Sequence, residues 1–330
     1  MTRLFRDLQP FRDVKLFRDV DGDRLCPRGS VVCIGAFDGL HLGHQALVGR
    51  AVQHARELGI DAVALSFEPL PREFFAGAAK PSRLSLPRAK FDGLRALGVD
   101  RVGLLRFDAR MAALSAQEFI EQVLVRRLAA REVWVGPEFR FGHGRAGDIA
   151  LLRAAGETQG FVANEIVPTH MDDSRVSSSM IRSMLAAGDL AGAERLLGRR
   201  YAIAGRVQRG QQLGRKLGYP TANLRLGGKM PALGGIFATR VHGVGIDAWP
   251  SVSSLGTRPT VNGTERLLEA HLFDFDGDLY GQRIEVEFIA KLRDELRFDD
   301  LDALTAQMHR DAVQARAILG VQEQRRGAIA

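Results

Sequence analysis

The residues best suited to chemistry stand between a short apolar run and a helical pattern, in Gly35-Ala-Phe-Asp-Gly-Leu-His-Leu-Gly-His44. Glycines at 35, 39 and 43 let a phosphate approach the backbone closely. A helix that follows presents free N–H groups and the positive end of its dipole. His41 and His44 are three residues apart, so at a helix start they share one face. Two imidazoles there can donate hydrogen bonds to a nucleotide phosphate while charge develops in a transition state. Competing motifs fit less well. No Gly-Lys-Ser/Thr follows to make a Walker A loop, and the G-x-G-x-x-G fingerprint is not matched. No nearby Cys, His or carboxylate completes a zinc set around His-x-x-His. The plain alternative is that both histidines cap the helix.

A second concentration of chemistry is Gly214-Arg-Lys-Leu-Gly218-Tyr-Pro-Thr221-Ala-Asn223. Two glycines and two cationic side chains suit a phosphate cradle, although this is no Walker loop. Thr221 and Asn223 alternate, so in an extended segment they point the same way. A hydroxyl and an amide oxygen are hard ligands suited to Mg²⁺. Taken alone, Gly-Tyr-Pro-Thr reads more readily as a turn. In the same way, Ser177 to Ser179 before Met180-Ile-Arg182 read as a helix N-cap.

Two kinds of scaffold must position these segments. From about residue 30 to 185, short β-branched runs alternate with helical patterns. Val31–Ile34 precedes a helix near 43–58, then Ala62–Leu65, a helix near 86–97, and Val102–Leu105. Ser115-Ala-Gln-Glu118 is a capping box opening a third helix. Strands near 133–135 and 161–167 flank a helix at about 147–159. Such alternation predicts a parallel sheet covered on both faces, with ligands at the carboxyl ends of its strands. After a short helix at 190–197 the pattern changes to closely spaced strands at 201–207, 235–244, 266–275 and 283–290. Turn signals at Gly227-Gly228, Asn262-Gly263 and Asp276-Gly277 separate them, which predicts a small barrel or sandwich. A terminal helix is expected over about 299–318, with Leu301, Leu304, Met308, Val313 and Ile318 inward. The domains expected are 1–186 and 187–330.

Size and composition agree with two soluble domains. At 330 residues the chain exceeds the usual ceiling for one core, and 45% hydrophobic with 26% charged residues is ordinary globular usage. No apolar run approaches the length of a membrane helix, and the charged start lacks the apolar core of a secretory signal. A cytoplasmic location is expected. Cys26 and Cys33 give no disulfide framework and no zinc spacing, and read as two reduced thiols with Cys33 in a buried strand. The net charge of +7 suits anionic partners, but the arginine pairs are scattered and form no aromatic-interleaved stripe for nucleic acid.

The first segment resembles the His-x-Gly-His signature of nucleotidyltransferases, and its fuller form resembles the FMN adenylyltransferase branch. Ser66-Phe-Glu-Pro-Leu-Pro-Arg72, Val135-Gly-Pro-Glu-Phe-Arg-Phe-Gly142 with Gly144-Arg-Ala-Gly-Asp148, and Val176-Ser-Ser-Ser-Met-Ile-Arg182 are similar to that family's later motifs. The second segment resembles the head of the riboflavin kinase barrel. Gly235–Ala238, Gly256–Thr260, Leu268–Leu272, Asp278–Gly281 and Leu292–Phe298 are similar in turn. Together these motifs, spanning about residues 14 to 318, resemble the bacterial bifunctional riboflavin kinase/FAD synthetase family. The resemblance implies a Rossmann-like nucleotidyltransferase domain, followed by a six-stranded antiparallel β-barrel with a terminal helix.

The resemblance also implies site residues. His41, His44, Arg182 and Glu269 would be catalytic, with Glu269 the base on the ribityl 5′-hydroxyl. Gly35, Phe37, Asp38, Gly43, Ser178 and Ser179 would bind ATP in the first half. Gly214, Arg215, Gly218, Pro220 and Thr221 would do so in the second. Phe67, Pro69, Glu138, Phe139, Arg293 and Phe298 would contact flavin, and Thr221 with Asn223 would hold Mg²⁺. Substrates and products would be ATP, riboflavin, FMN and FAD, with no nucleic acid and no membrane; a homo-oligomer stays open. Glu138 stands where the family usually has Asp or Asn, Ser179 replaces a common Thr, and Ser254 stands where many members have Asn. Two other readings are a monofunctional nucleotidyltransferase with a flavin-binding C-terminal module, and an RNA-binding or tRNA-charging protein. No anticodon-type module supports the latter.

Overall fold

The computed structural model describes residues 13–77, 81–172, 174–210, 214, 217–260 and 263–322. The chain divides into two compact units, Met1–Pro81 with Pro87–Ser178, and Ser82–Leu86 with Ser179–Ala330.

The first unit is built on a six-stranded parallel sheet. Its strands are β1 (Lys15–Phe17), β2 (Ser30–Ile34), β3 (Asp61–Glu68), β4 (Arg101–Arg106), β5 (Ala130–Val135) and β6 (Val162–Glu165), in the order β1-β4-β3-β2-β5-β6. Period-two alternation sends Val31 and Cys33 to one face of β2 and Val32 and Ile34 to the other, all buried. Each face has its own core. Val31, Cys33, Ala62 and Ala64 pack against α1 (Leu42–Leu58) through Leu47, Val48, Ala51 and Ala55. On the other face Val32, Ile34 and Val63 meet Phe119, Ile120, Val123 and Leu152. Both faces are therefore covered, as buried parallel strands require. The capping box forms: Ser115 Oγ accepts from Glu118 N–H at 3.1 Å, and Glu118 Oε2 accepts from Ser115 N–H at 2.8 Å. Both cysteines are free and buried, and burial above all pushes each thiol up to about 12.

A short antiparallel pair, β7 (His170–Met171) with β8 (Ser174–Arg175), completes the first unit, and the second unit is a closed antiparallel barrel. Its strands run β9 (Ala202–Gln208), β10 (Ala222–Arg225), β11 (Gly235–Gly243), β12 (Ile246–Thr260), β13 (Gly263–Leu272) and β14 (Arg283–Arg293), ordered β10-β13-β12-β11-β14-β9. Strand β12, absent from the sequence expectation, is the longest of these. Pro250 and Pro259 interrupt its reading, and its inward Ser251 and Ser253 break the apolar alternation. Inside the barrel those serines are satisfied by Thr239, whose Oγ1 lies 2.6 and 2.7 Å from their hydroxyls. The Asn262-Gly263 turn signal falls partly outside the described residues.

The terminal helix, Leu301–Leu319, corrects one expectation. Its buried face is Asp311, Ala312, Ala315 and Leu319, while Leu301, Val313 and Ile318 are exposed. The two alanines let the helix approach Ala238 and Phe273 of the barrel closely. Small residues set that face, so counting large apolar ones misplaced it.

Candidate active sites

In the first unit the strand order reverses between β2 and β5, because the chain steps from β2 to β3 and β4 on one side and then crosses to β5 and β6. Such a switch point opens a crevice at the strands' carboxyl ends. The segments entering it are Gly35 after β2 and Gly136-Pro137 after β5, and both line a cavity of about 240 Å³. His41, Gly43, His44 and Ser178 line the same cavity.

His41 is the N-cap of α1. Its Nδ1 accepts the backbone N–H of His44 at 3.3 Å, so in the neutral ring the proton sits on Nε2. Capping and phosphate donation are thus compatible roles. The two imidazoles stack with centroids 3.7 Å apart. Gly43 permits this, since a Cβ there would stand 3.3 Å from the His41 ring. Burial, with the charges of His41 and Lys90, holds His44 well below its usual 6.5, so the ring is neutral at pH 7. Among the described residues His44 Nδ1 is a buried nitrogen with no hydrogen-bond partner.

Phe37 and Asp38 line neither this cavity nor its neighbour. Phe37 is fully buried, at a left-handed φ of 47°, and places its ring edge-on to His44 at 5.3 Å. The Asp38 carboxylate is buried against Arg72 at 2.7 Å, while its carbonyl accepts from Ser178 Oγ at 2.8 Å. Both residues shape the loop from beneath.

A larger cavity of about 910 Å³ adjoins the first and shares Gly35 and Phe139 with it. Its wall is aromatic: Phe67, Phe74, Phe75 and Phe107 meet edge-to-face at 5.1 to 5.8 Å. Glu138 lies at its rim, exposed, with φ of 61° and an ion pair to Arg175 at 3.2 Å. A left-handed φ is a conformation Asn and Asp tolerate better than Glu, so Glu138 holds a strained backbone here. Pro69 follows a cis peptide bond and is not among the cavity's lining residues. Ser179 and Arg182 fall in the second unit, on the helix Ser178–Ala187, where Arg182 Nη2 donates to Ser179 Oγ at 3.0 Å.

In the barrel, register does what sequence spacing cannot. Asn223 pairs with Glu269, Glu269 with Ser254, Ser254 with Ile236, and Ile236 with Arg293. Directly opposed residues share a face, so these five form one row across neighbouring strands. Thr221, Ser254, Glu269, Arg293 and Phe298 line a cavity of about 280 Å³, together with Leu304 and Met308 of the terminal helix. Thr221 Oγ1 lies 3.4 Å from Glu269 Oε1. Asn223 Nδ2 donates to the Thr221 carbonyl at 3.1 Å and approaches its Oγ1 at 3.3 Å. Among the described residues, Asn223 Oδ1 is buried without a hydrogen-bond partner. Gly218 and Pro220 line a further cavity of about 770 Å³, which shares Leu217, Tyr219 and His271 with the first. Gly214 lines the smaller one, and Arg215 lies outside the described residues.

The FAD synthetase family model matches residues 23–180, and the riboflavin kinase family model matches residues 197–319. The bifunctional riboflavin kinase/FMN adenylyltransferase of Pseudomonas fluorescens is 46% identical over 292 residues, which cover 88% of this chain and 93% of that one. This chain belongs to the bifunctional riboflavin kinase/FMN adenylyltransferase family. The Escherichia coli (strain K12) protein of the same name is 44% identical, covering 89% of this chain and 94% of its own. A solved structure titled as a macrolide-efflux protein from Streptococcus pneumoniae shares the fold. Its TM-score is 0.71 at 28% identity, over 90% of this chain and 97% of that one. Among the described residues no helix is long and apolar enough to cross a membrane.

Within this family frame the structure adds residues that sequence reading passed over. Arg175 lines the smaller sheet cavity. Lys90 is fully buried and reaches Ser66 Oγ at 3.1 Å, whose hydroxyl donates to the Ala36 carbonyl at 3.1 Å. Its signal was readable: Lys90, Gly93 and Leu94 form one buried helical stripe over Pro87–Ala96, and a lysine there is out of place. Asp311 is the corresponding oddity on the terminal helix.

Proposed function

We propose that the chain phosphorylates riboflavin to FMN in its barrel and adenylylates FMN to FAD in its parallel-sheet half, with ATP as donor in both steps. The reading assigns FAD formation to residues 1–186 and FMN formation to 187–330. One observation carries it: each half sets a polar reacting centre at the edge of an apolar cavity of its own.

In the sheet half the adenosine side of ATP takes the cavity lined by Leu47, Ile166 and Val167, and the isoalloxazine takes the aromatic one. Their shared edge at Gly35 then receives the phosphates. An FMN phosphate oxygen attacks the α-phosphorus, the bond to the β-phosphate bridge breaks, and pyrophosphate leaves. His41, with its proton on Nε2, and the neutral His44 donate to the phosphate oxygens as their charge rises. Ser178 faces the same cavity and is assigned to the ATP phosphates.

In the barrel Glu269 takes the proton from the ribityl 5′-hydroxyl as that oxygen attacks the γ-phosphorus and ADP leaves. The flavin ring extends along the row toward Arg293 and Phe298. Gly214, Arg215, Gly218 and Pro220 are assigned to the ATP phosphates. Thr221 Oγ1 and the unpartnered Asn223 Oδ1 fit a hard cation, and we assign them to Mg²⁺. When bound, that ion would neutralise charge on the ATP phosphates. The protein's own part is positioning and proton removal. A cytoplasmic setting, without nucleic acid or membrane, suffices for both steps.

Product analysis of the full chain with riboflavin, ATP and Mg²⁺ tests the reading. FMN should form first and FAD after it. Failure to form FMN from riboflavin, or FAD from supplied FMN, would overturn the corresponding half.

A further inference from the structure

Arg293, the last residue of β14, is held on three sides. Its Nε and Nη2 donate to the two carboxylate oxygens of Asp311 at 2.9 and 2.6 Å, and its Nη1 donates to the Asp294 carbonyl at 2.9 Å. Its guanidinium carbon lies 5.9 Å from the centre of the Phe298 ring. The Asp311 side chain is only 5% exposed and also accepts from Gln307 Nε2 at 2.8 Å. One fork therefore joins three parts of the cavity wall: the end of β14, the segment leading to Phe298, and the terminal helix.

Docking alone does not call for this pair. Ala312, Ala315 and Leu319 already seal the helix against Ala238 and Phe273. Burying two charges costs several kcal/mol of desolvation, and an apolar pair of similar volume is often as stable. What a planar, two-pronged ion pair adds is a fixed direction and distance. Here that geometry sits at the far end of the row whose other end holds Glu269 and Asn223.

We infer that Asp311 is a positioning residue for riboflavin. Through Arg293 it fixes the ring-side wall at the separation from Glu269 that brings the 5′-hydroxyl to the base. This rests on the riboflavin kinase reading of the barrel. Asp311 does not touch the reacting atoms. Its effect falls on where the flavin sits, and the ATP side of the reaction is left alone.

The test is steady-state kinetics and thermal melting of the full chain, with FMN formation and FAD formation assayed separately. Asp311→Asn keeps the side chain's size but sets an amide against the Arg293 donors. The kcat/KM for riboflavin should fall about ten- to a hundredfold, the scale on which small misplacements act. The KM for ATP should hold, and FAD formation from supplied FMN should stay unchanged. The double variant Arg293→Met with Asp311→Leu removes both charges together, so its melting temperature should equal or exceed the parent's while the riboflavin kcat/KM stays low. A riboflavin kcat/KM that recovers with stability in the double variant would reduce the pair to a structural role and overturn the inference. An unchanged riboflavin kcat/KM in Asp311→Asn would do the same. A parent protein that forms no FMN at all would instead sink the kinase reading, which is a separate outcome.

Discussion

Asn223→Ala separates function from stability in a way the structure makes quantitative. The substitution removes two donated hydrogen bonds, to the Thr221 carbonyl at 3.1 Å and to its hydroxyl at 3.3 Å. Each is worth about 1 kcal/mol net. It also removes Oδ1, a buried oxygen with no partner among the described residues, and such an orphan costs about 1–3 kcal/mol. The two contributions nearly cancel, so stability should stay within about 1 kcal/mol of the parent, or roughly 2–4 °C in the melting temperature of a unit this size. Kinase activity should behave differently. Oδ1 is assigned to the Mg²⁺ that would neutralise charge on the transferring phosphoryl group, and loss of one such charge-stabilising element costs about 10²-fold or more. The assay is FMN formation at saturating riboflavin across a Mg²⁺ titration, paired with thermal melts. The expected result is a normal melt, a severe rate loss and a shift to higher Mg²⁺ demand. A variant that melts well below the parent yet still makes FMN at the parental rate would show that Oδ1 serves the barrel and not the substrate.

Other predictions follow from local geometry. Gly43→Ala places a Cβ 3.3 Å from the His41 ring, so FAD formation should fall while the helix, gaining an alanine, loses no stability in melts. For Glu287, burial favours the neutral acid, but hydrogen bonds from His242 and Arg200 outweigh it and hold the carboxyl at about 2, below its usual 4.5. The unfolded chain therefore takes up the proton first, and stability present above pH 4.5 should drain away as pH falls toward 2. Melts of Glu287→Gln across that window should show a flatter decline; an unchanged slope would remove Glu287 from the account.

The parallel-sheet half was largely legible because its signals are local. Val31–Ile34, the α1 periodicity and the Ser115 capping box each state their own structure within a few residues. The barrel was less so. The row from Asn223 to Arg293 depends on register between strands far apart in sequence, and no spacing rule yields it. Strand β12 hid behind its prolines and its inward serines, whose hydroxyls find partners only once Thr239 faces them. The sites divide in the same way. His41 and His44 announce themselves, whereas Lys90 and Asp311 are polar residues on buried helix faces, legible only as misfits until the fold shows what they hold.

The central claim is that two independent centres act in series on one flavin, and the product profile of two point variants tests it most directly. With riboflavin, ATP and Mg²⁺, His44→Ala should accumulate FMN and make no FAD. Glu269→Gln should make no FMN but still convert supplied FMN to FAD. If either variant, folded by its melt, loses both activities together, the two-centre account is contradicted.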